Sequence, residues 1–234
     1  MARAHTRFGR LTIGPAPLVV GSISSAATLA QLAANVGGVC DIVVVRADLV
    51  DSEVTQWLDH AQAIEAQNVP VIVTIRLANE GGRWTKPDAD RLPLFKAALE
   101  HVSAADIELS SPLLLEVSAL ARHHQRALIV SCHDFDRTPS DRELREVVQK
   151  AAGVGSVVKI ATLTRTDQDL AALRGLLAEP GATPLCVLGM GPLGPRTRLE
   201  FPGLGSCLTY GYVDASVAPG QVSARELMQQ LHGS

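Results

Sequence analysis

Short apolar runs rich in β-branched residues alternate with amphipathic segments along most of the chain. The runs have the length of buried strands and lie at residues 17–23, 41–46, 70–76, 106–109, 127–131, 156–161, 184–189 and 206–211. The segments between them carry apolar residues at helical spacing, as in VTQWLDHAQAIEAQ (54–67) and DRELREVVQKAA (141–152), and SARELMQQLH (223–232) follows the last run. The strand starts lie about 27 residues apart, which is close to the length of one βα unit.

Eight strands, each followed by a helical segment, predict an α/β fold of the (β/α)8 TIM-barrel type rather than an open sheet. An open doubly wound sheet usually has fewer strands and a phosphate-binding loop after its first strand. GGRW (81–84) and GMGPLGP (189–195) are therefore interpreted as βα loops. RFGRLTIG (7–14) is expected to form an extra strand or hairpin that closes the barrel bottom. No linker interrupts the pattern, so residues 1–234 are expected to form one domain.

Composition and charge argue against several other classes of protein. Of the 234 residues 47% are hydrophobic, which suffices for one core, and a formal net charge of −3 argues against nucleic acid as a partner. No apolar stretch approaches the ~20 residues that span a bilayer. The N-terminal MARAHTRFGR lacks the apolar segment of a secretory signal. We therefore expect a cytoplasmic protein without a membrane or nucleic-acid partner.

The cysteines lie in or beside apolar runs and form no CxxC pair; they are Cys40, Cys132, Cys186 and Cys207. Their spacing predicts free thiols in a reducing compartment and no zinc site. Cys132, beside His133, is open to interpretation as a nucleophile. Alternation along a strand disfavours this, because it points neighbouring side chains to opposite faces.

Side chains able to bind or react collect at the carboxyl ends of the predicted strands, where a barrel of this type carries its chemistry. They are Ser22, Arg46, Asp48, Arg76, Glu80, Asp106, Glu108, His133, Lys159, Met190 and Tyr210. A purely structural barrel has no need for this set at one mouth. For SCHDFDRTPS (131–140) alone, a loop with Asp134 capping a turn is the alternative interpretation.

Lys159 lies inside SVVKIA (156–161), an otherwise apolar strand, where burial of an ammonium group is costly. One interpretation is a lysine on the outer strand face that pairs with an acid of a flanking helix. The other is an amine whose pKa is lowered by burial and which attacks a ketone to form a Schiff base. His133 shares a strand face with Ser131 and Ile129, and this strand is next to the strand that carries Lys159. Together the lysine and the histidine predict lyase or aldolase chemistry beside a carbonyl.

Across almost its whole length the chain resembles the type I 3-dehydroquinate dehydratase family, enzymes of the shikimate pathway. The matching segments are DIVVVRAD (41–48), PVIVTIRLANEGG (70–82), DIEL (106–109), SCHDFDRTP (131–139), KIA (159–161), MGPLGPRTRL (190–199), GSCLTYG (205–211) and APGQ (218–221). The combination of S-x-HDF followed by KIA is specific. So is EGG placed four residues after a strand-ending arginine.

The resemblance implies the reaction and the roles of the reacting residues. Lys159 would form a Schiff base with the ring ketone of 3-dehydroquinate, and His133 would act as general acid/base, supported by Glu80. The product would be 3-dehydroshikimate. No metal or dissociable cofactor is expected, because the iminium of the lysine is itself the electron sink. The resemblance also implies a homodimer.

The resemblance further implies how a carboxylated cyclic hydroxy-ketone would be bound. Arg198 would bind its carboxylate, and Gln221 would belong to a mobile lid. The pocket around the ring hydroxyls would be lined by Ser22, Arg46 and Arg76. Met190 and Tyr210, from their positions at strand ends, complete the expected substrate-binding set.

Two positions depart from the family pattern. Val44 stands where the family has a glutamate, and Val217 stands where it has a serine before APGQ. Ser216 is adjacent to that position, but a shift of one residue would turn its side chain elsewhere. Two alternatives therefore stay open: a Schiff-base lyase or aldolase that acts on a related hydroxy-ketone, and a protein that only binds a carboxylated ligand. Retention of the lysine, the histidine and Glu80 argues against the second.

Overall fold

The structure is a computed structural model that describes residues 5–14, 16–50, 54–179 and 181–233. Its strands are β1 (Thr6–Phe8), β2 (Leu11–Ile13), β3 (Leu18–Ile23), β4 (Ile42–Arg46), β5 (Val71–Thr74), β6 (Ala104–Glu108), β7 (Ala127–Asp134), β8 (Val157–Leu163), β9 (Leu185–Met190) and β10 (Leu208–Tyr212). β3 to β9 pair in parallel in chain order, and β10 pairs with β3. Between β9 and β10, the backbone N–H of Cys207 donates to the carbonyl of Leu185 at 2.8 Å. The predicted TIM barrel is confirmed.

Helices follow the barrel strands and cover the outside of the barrel. They are α1 (Ala26–Ala34), α2 (Val54–Ala66), α3 (Leu92–Leu99), α4 (Leu114–His123), α5 (Asp141–Ala152), α6 (Asp167–Ala178), α7 (Gly194–Leu204) and α8 (Ala224–His232). Hydroxyl caps start several of them, and two are capping boxes, Ser140 with Glu143 and Thr166 with Asp169. None of these helices is long and apolar enough to cross a membrane.

α7 corrects the interpretation of residues 189–195 as a loop, because the helix already begins at Gly194. Pro195 lies in its first turn, where the missing N–H would have no helical partner anyway. Pro202 lies in its last turns and leaves the carbonyl of Arg198 without an N–H donor. The hydroxyl of Thr209 donates to that carbonyl at 3.0 Å instead. The helix therefore tolerates residues that ordinarily predict a loop.

Strand alternation divides the core into two layers. Outward side chains such as Val43 and Val73 pack under the helices, whereas inward ones such as Ile72 and Ile129 fill the barrel. The β1–β2 hairpin is antiparallel, and its Phe8 is fully buried within the inner layer. This layer also includes residues at the amino ends of the strands, so the hairpin closes the barrel bottom as predicted and leaves the opposite end open.

Candidate active site

A cavity of about 610 Å³, including its open mouth, lies at the carboxyl ends of the strands. Every residue expected to react or to bind substrate lines it: Ser22, Arg46, Arg76, Glu80, His133, Lys159, Met190, Arg198, Tyr210 and Gln221. Thr74, Val44 and Val217 line it as well. The structure therefore brings the predicted catalytic and substrate-binding residues together and adds Thr74 to them. The strand-end acids lie behind this lining and bind its arginines; they are Asp48, Asp106 and Glu108.

Lys159 points from β8 into the barrel, not to the outer face, and is only 8% exposed. Its Nζ lies 2.9 Å from Oδ2 of Asp106 and 4.5 Å from the centre of the Tyr210 ring. Burial lowers the pKa of the Lys159 ammonium, and Asp106 opposes this shift while Arg76 adds to it. The lysine is therefore closer to its nucleophilic amine form than a lysine in water.

Asp106, on β6, is shared between two cations. Its Oδ1 accepts hydrogen bonds from Arg76 Nη2 at 2.7 Å and from Ser131 Oγ at 2.6 Å, while Oδ2 faces Lys159. Burial alone would raise the pKa of this carboxyl. The charges of Arg76 and Lys159 outweigh that effect and hold the pKa of Asp106 well below its usual range. The acid beside the lysine is therefore ionised at neutral pH.

Arg91 extends this buried charge network and had not been singled out in the sequence. Its guanidinium donates to Glu108 Oε2 at 2.7 Å and to the carbonyl of Ile75 at 2.6 Å, and none of the residue is exposed. Glu108 accepts in turn from Arg76 Nη1 at 2.8 Å. An arginine directly before an amphipathic helix has the sequence context of a surface residue, so no signal in the sequence distinguishes it.

His133 lies within β7 and faces the cavity, because β7 runs three residues beyond its predicted end. Its Nδ1 lies 3.0 Å from Oε2 of Glu80. Burial raises the pKa of the Glu80 carboxyl, while Ser110 and Arg76 oppose this shift. In its ionised form Glu80 only accepts hydrogen bonds, so Nδ1 then carries the proton and Nε2 keeps its lone pair. Burial, with the charges of Arg76 and Lys159, lowers the pKa of His133 well below 6.5. The imidazole is therefore neutral at neutral pH and able to accept a proton.

Two glycines position Glu80 beside the histidine. Glu80 ends a short 3-10 helix, and Gly81 follows it with φ of 76°, a conformation that favours glycine. A Cβ on Gly82 would lie 2.1 Å from the carbonyl oxygen of Arg76. A side chain at Gly81 or Gly82 would therefore prevent this tight turn after β5. The carboxylate of Glu80 also accepts a hydrogen bond from Ser110.

Arg198, on α7, is buried at the cavity wall without an acidic partner among the described residues. Its guanidinium donates to three carbonyls, of Gly189 at 2.8 Å, Gly194 at 2.9 Å and Tyr210 at 3.1 Å. Burial lowers the pKa of Arg198 to about 10, so the group still carries its charge at neutral pH. A buried cation with neutral partners is suited to bind a carboxylate.

The loop after β10 reaches back over the cavity. Gln221 donates from Nε2 to the hydroxyl of Ser22 at 3.3 Å and accepts from the backbone N–H of Val217 at 3.0 Å. The hydroxyl of Ser216 donates to the carbonyl of Ala218 at 3.0 Å, and Ser216 does not line the cavity. The neighbouring serine therefore does not replace the one absent at Val217.

Arg46 and Val44 form the β4 wall of the cavity. Arg46 is paired with Asp48 through two hydrogen bonds of 2.8 and 2.7 Å, so part of its charge is already balanced. Val44 is almost completely buried and packs in the inner layer of the barrel. This wall offers one partly neutralised guanidinium and an apolar surface to a ligand.

The cysteines take no part in this arrangement. All four are free thiols, and burial raises the pKa of Cys132 to about 11, so the thiol stays protonated. Within the described ranges, no cluster of three or more His, Cys, Asp or Glu side chains has the arrangement of a metal site.

Comparisons with known proteins show which family the chain resembles. A model of the type I 3-dehydroquinase family matches residues 16–234. The 3-dehydroquinate dehydratase of Methanocella arvoryzae is 36% identical over 215 residues, which cover 92% of this chain and 95% of that protein. The 3-dehydroquinate dehydratase of Methanothrix thermoacetophila is 34% identical over 217 residues, with 90% and 89% covered. The resemblance inferred from the motifs is confirmed.

Solved structures support the fold. A 3-dehydroquinate dehydratase from Geobacillus kaustophilus superposes with a TM-score of 0.87 at 24% identity, covering 97% of this chain and 95% of that one. The enzyme of the same name from Aquifex aeolicus superposes with a TM-score of 0.81 at 27% identity, covering 93% and 100%. The barrel is therefore similar to these proteins from end to end.

Proposed function

Since the chain belongs to the type I 3-dehydroquinase family, we propose that it dehydrates 3-dehydroquinate to 3-dehydroshikimate in the shikimate pathway. The observation that carries the proposal is the buried Lys159, held by Asp106 inside a cavity that also contains the His133–Glu80 pair. A structural barrel gains nothing from burying these charges, whereas a Schiff-base enzyme needs a lysine and a base side by side.

The first step joins the substrate to the enzyme. The amine of Lys159 adds to the ketone carbon, and the resulting carbinolamine takes up a proton from water and loses its oxygen as water to leave an iminium. Burial and the charge of Arg76 favour the free amine that this addition requires. Asp106 then balances the positive charge of the iminium, as it balances the ammonium in the free enzyme.

The second step removes water from the ring. Nε2 of His133 takes the proton from the carbon beside the iminium, and the electron pair forms the new double bond as the β-hydroxyl leaves. The same proton passes to that hydroxyl, which departs as water. A second water then adds to the iminium carbon, and this releases the product ketone, the amine of Lys159 and the proton taken up in the first step. Glu80 stabilises His133 while it is protonated, because its carboxylate accepts from Nδ1.

Binding would rely on Arg198 and on the loop over the cavity. Arg198 has no acidic partner among the residues that the structure describes, so it is available to pair with the substrate carboxylate. Gln221 would close over the ring from the C-terminal loop and contact Ser22. The remaining expected substrate contacts are Arg46, Arg76, Met190 and Tyr210.

A second candidate is dehydration of a related hydroxy-ketone by the same chemistry. The observation that favours it is the apolar Val44 wall beside Arg46, whose charge Asp48 already balances. A substrate with fewer polar groups on that side would fit it. Comparing kcat/KM for 3-dehydroquinate with that for less hydroxylated cyclic ketones separates the two candidates.

Borohydride trapping tests the proposed function directly. Borohydride reduces an iminium to a stable secondary amine, so incubation with 3-dehydroquinate should add the mass of the reduced ligand to the peptide that contains Lys159. Lys159→Ala should abolish labelling, and Lys150→Ala, on the outer α5 helix, should retain it. Absence of labelling in the unaltered chain, or labelling at another lysine, overturns the assignment.

We further propose that the chain acts as one catalytic domain in the cytoplasm and as a homodimer. Its free thiols support a reducing compartment. Leu115, on α4, is 70% exposed, and Leu120 lines an apolar groove nearby, which supports self-association. Sedimentation of the unaltered chain and of Leu115→Asp tests the dimer, since the variant should shift toward monomer.

A further inference from the structure

Two residues that line the cavity carry a hydroxyl oxygen without a hydrogen-bond partner within the described part of the chain. The oxygens are Oγ1 of Thr74 and the phenol oxygen of Tyr210. Thr74 is 2% exposed and Tyr210 is 6% exposed, and both oxygens are shielded from solvent. Buried polar groups in folded proteins are almost always paired, because an unpaired one destabilises the fold. Their partner is therefore expected on a molecule that enters the cavity.

Both residues lie near the reactive lysine. The centre of the Tyr210 ring is 4.5 Å from Nζ of Lys159. Thr74, on β5, is paired in register with Arg46 on one side and with Asp106, the partner of Lys159, on the other. The substrate carbon bonded to Nζ would thus have these two residues beside it.

The two groups are neutral donors and acceptors. Burial raises the pKa of Tyr210 well above 10, so the phenol keeps its proton at working pH. A hydroxyl both donates and accepts, and therefore pairs well with another hydroxyl. Other residues are suited to other parts of the ligand, Arg198 to its carboxylate and His133 to the carbon that loses a proton.

We propose that the hydroxyls of Thr74 and Tyr210 bind the substrate hydroxyl on the carbon beside the ketone, and so select an α-hydroxy-ketone over a plain ketone. The proposal rests on the proposed function, since the covalent bond to Lys159 fixes where the ketone carbon lies. A site built to bind a hydroxyl rejects an analogue that lacks it, because its own buried groups stay unpaired. Thr74 is thereby assigned a role in specificity.

The test uses substitutions that remove only the oxygen, Thr74→Val and Tyr210→Phe. The affinities for 3-dehydroquinate and for its analogue without the hydroxyl beside the ketone are measured by calorimetry, with KM from turnover. Each variant should bind 3-dehydroquinate roughly 2- to 10-fold more weakly and the analogue about equally well, so that discrimination falls by the same factor. The ligand-free variants should melt roughly 2–4 °C higher, because an unsatisfied hydroxyl is gone.

Matched controls separate this role from a structural one. Thr164 is a buried threonine whose hydroxyl donates to the carbonyl of Thr162 at 3.1 Å, so Thr164→Val should lower the melting temperature and leave affinity unchanged. Tyr212→Phe, two residues beyond Tyr210 and outside the cavity lining, should change neither quantity.

The outcomes distinguish two failures. Variants that keep full discrimination while borohydride still traps Lys159 overturn the hydroxyl assignment alone and leave an ordered water as the partner of each group. A lower melting temperature with unchanged affinity also overturns it, since that is the behaviour of a structural hydroxyl. If the unaltered chain shows no trapping, the proposed function fails and this assignment fails with it.

Discussion

The Nζ atom of Lys159 and the carboxylate of Asp106 lie 2.9 Å apart across the barrel interior, on strands separated by β7. The negative charge favours the ammonium form of the lysine, whereas burial and Arg76 favour the amine. The pKa of Lys159 therefore depends on neighbours that shift it in opposite directions. Removing one of them should change the pH at which the lysine reacts.

Asp106→Asn should move the pH dependence of trapping toward acid. Removing the carboxylate charge makes the ammonium less favourable, so the pKa of Lys159 falls further below its usual value and the amine persists to lower pH. We expect the acid limb of the trapping rate against pH to shift down by about 1 unit or more. Asp90→Asn, at an exposed position, is the control, and an unchanged or alkaline-shifted limb would contradict the prediction.

His133→Ala should lose turnover by roughly 10²–10⁴-fold, the range for a positioned acid/base. The lysine and Arg198 are untouched, so KM should change much less than kcat, and borohydride should still label Lys159. Initial rates of 3-dehydroshikimate formation measure the effect. His101→Ala, at an exposed histidine, should leave kcat and KM unchanged. Near-normal turnover in His133→Ala would mean that the histidine is structural.

Arg91→Met should destabilise the fold strongly. The substitution leaves Glu108 with a buried charge that loses one of its two arginine partners, and breaking a buried ion pair in this way costs about 3–5 kcal/mol. Urea unfolding measures the change. Arg142→Met removes a surface pair with Glu146 and should change the free energy of unfolding by less than about 1 kcal/mol. Similar losses in the two variants would argue against a special role for the buried network.

Val44→Glu combined with Val217→Ser tests which substrate the cavity suits. If 3-dehydroquinate is the substrate, the added polar groups should lower its KM with a smaller change in kcat. Val44 is buried, so a glutamate without a partner there would destabilise the fold, and the melting temperature is measured alongside. A stable double variant that binds 3-dehydroquinate no better points to a related hydroxy-ketone.

The sequence predicted the barrel and its hairpin, and strand alternation and strand ends predicted that side chains such as Lys159 and His133 meet at the mouth. Arg198, on α7, and Gln221, in the last loop, were expected in the cavity only because of the resemblance to the family. Lys159 and His133 stood out for a physical reason, since each is a polar residue on the inner face of an apolar strand. The partners of these residues were harder to predict. Asp106 was one of several acids at strand ends, and only the three-dimensional register shows that it holds the lysine.

Other features could not be predicted from the local sequence pattern. Arg91 precedes an amphipathic helix, as many surface arginines do. Its burial depends on Glu108, which lies on β6. α7 contains Pro195 and Pro202, and its last turn depends on a hydroxyl from β10. In both cases a contact between distant segments overrides the local preference of the chain.

An early and a late segment of the chain meet beside the cavity. Gln221 contacts Ser22, 199 positions away in sequence, and the carboxylate of Asp214 accepts from the backbone N–H and the hydroxyl of Ser24. Such long-range contacts form late, because the intervening chain must be ordered first. During synthesis on the ribosome, Lys159 and His133 emerge well before β10 and the loop that covers them. The reactive lysine is thus assembled into a working site only once β10 has joined β3.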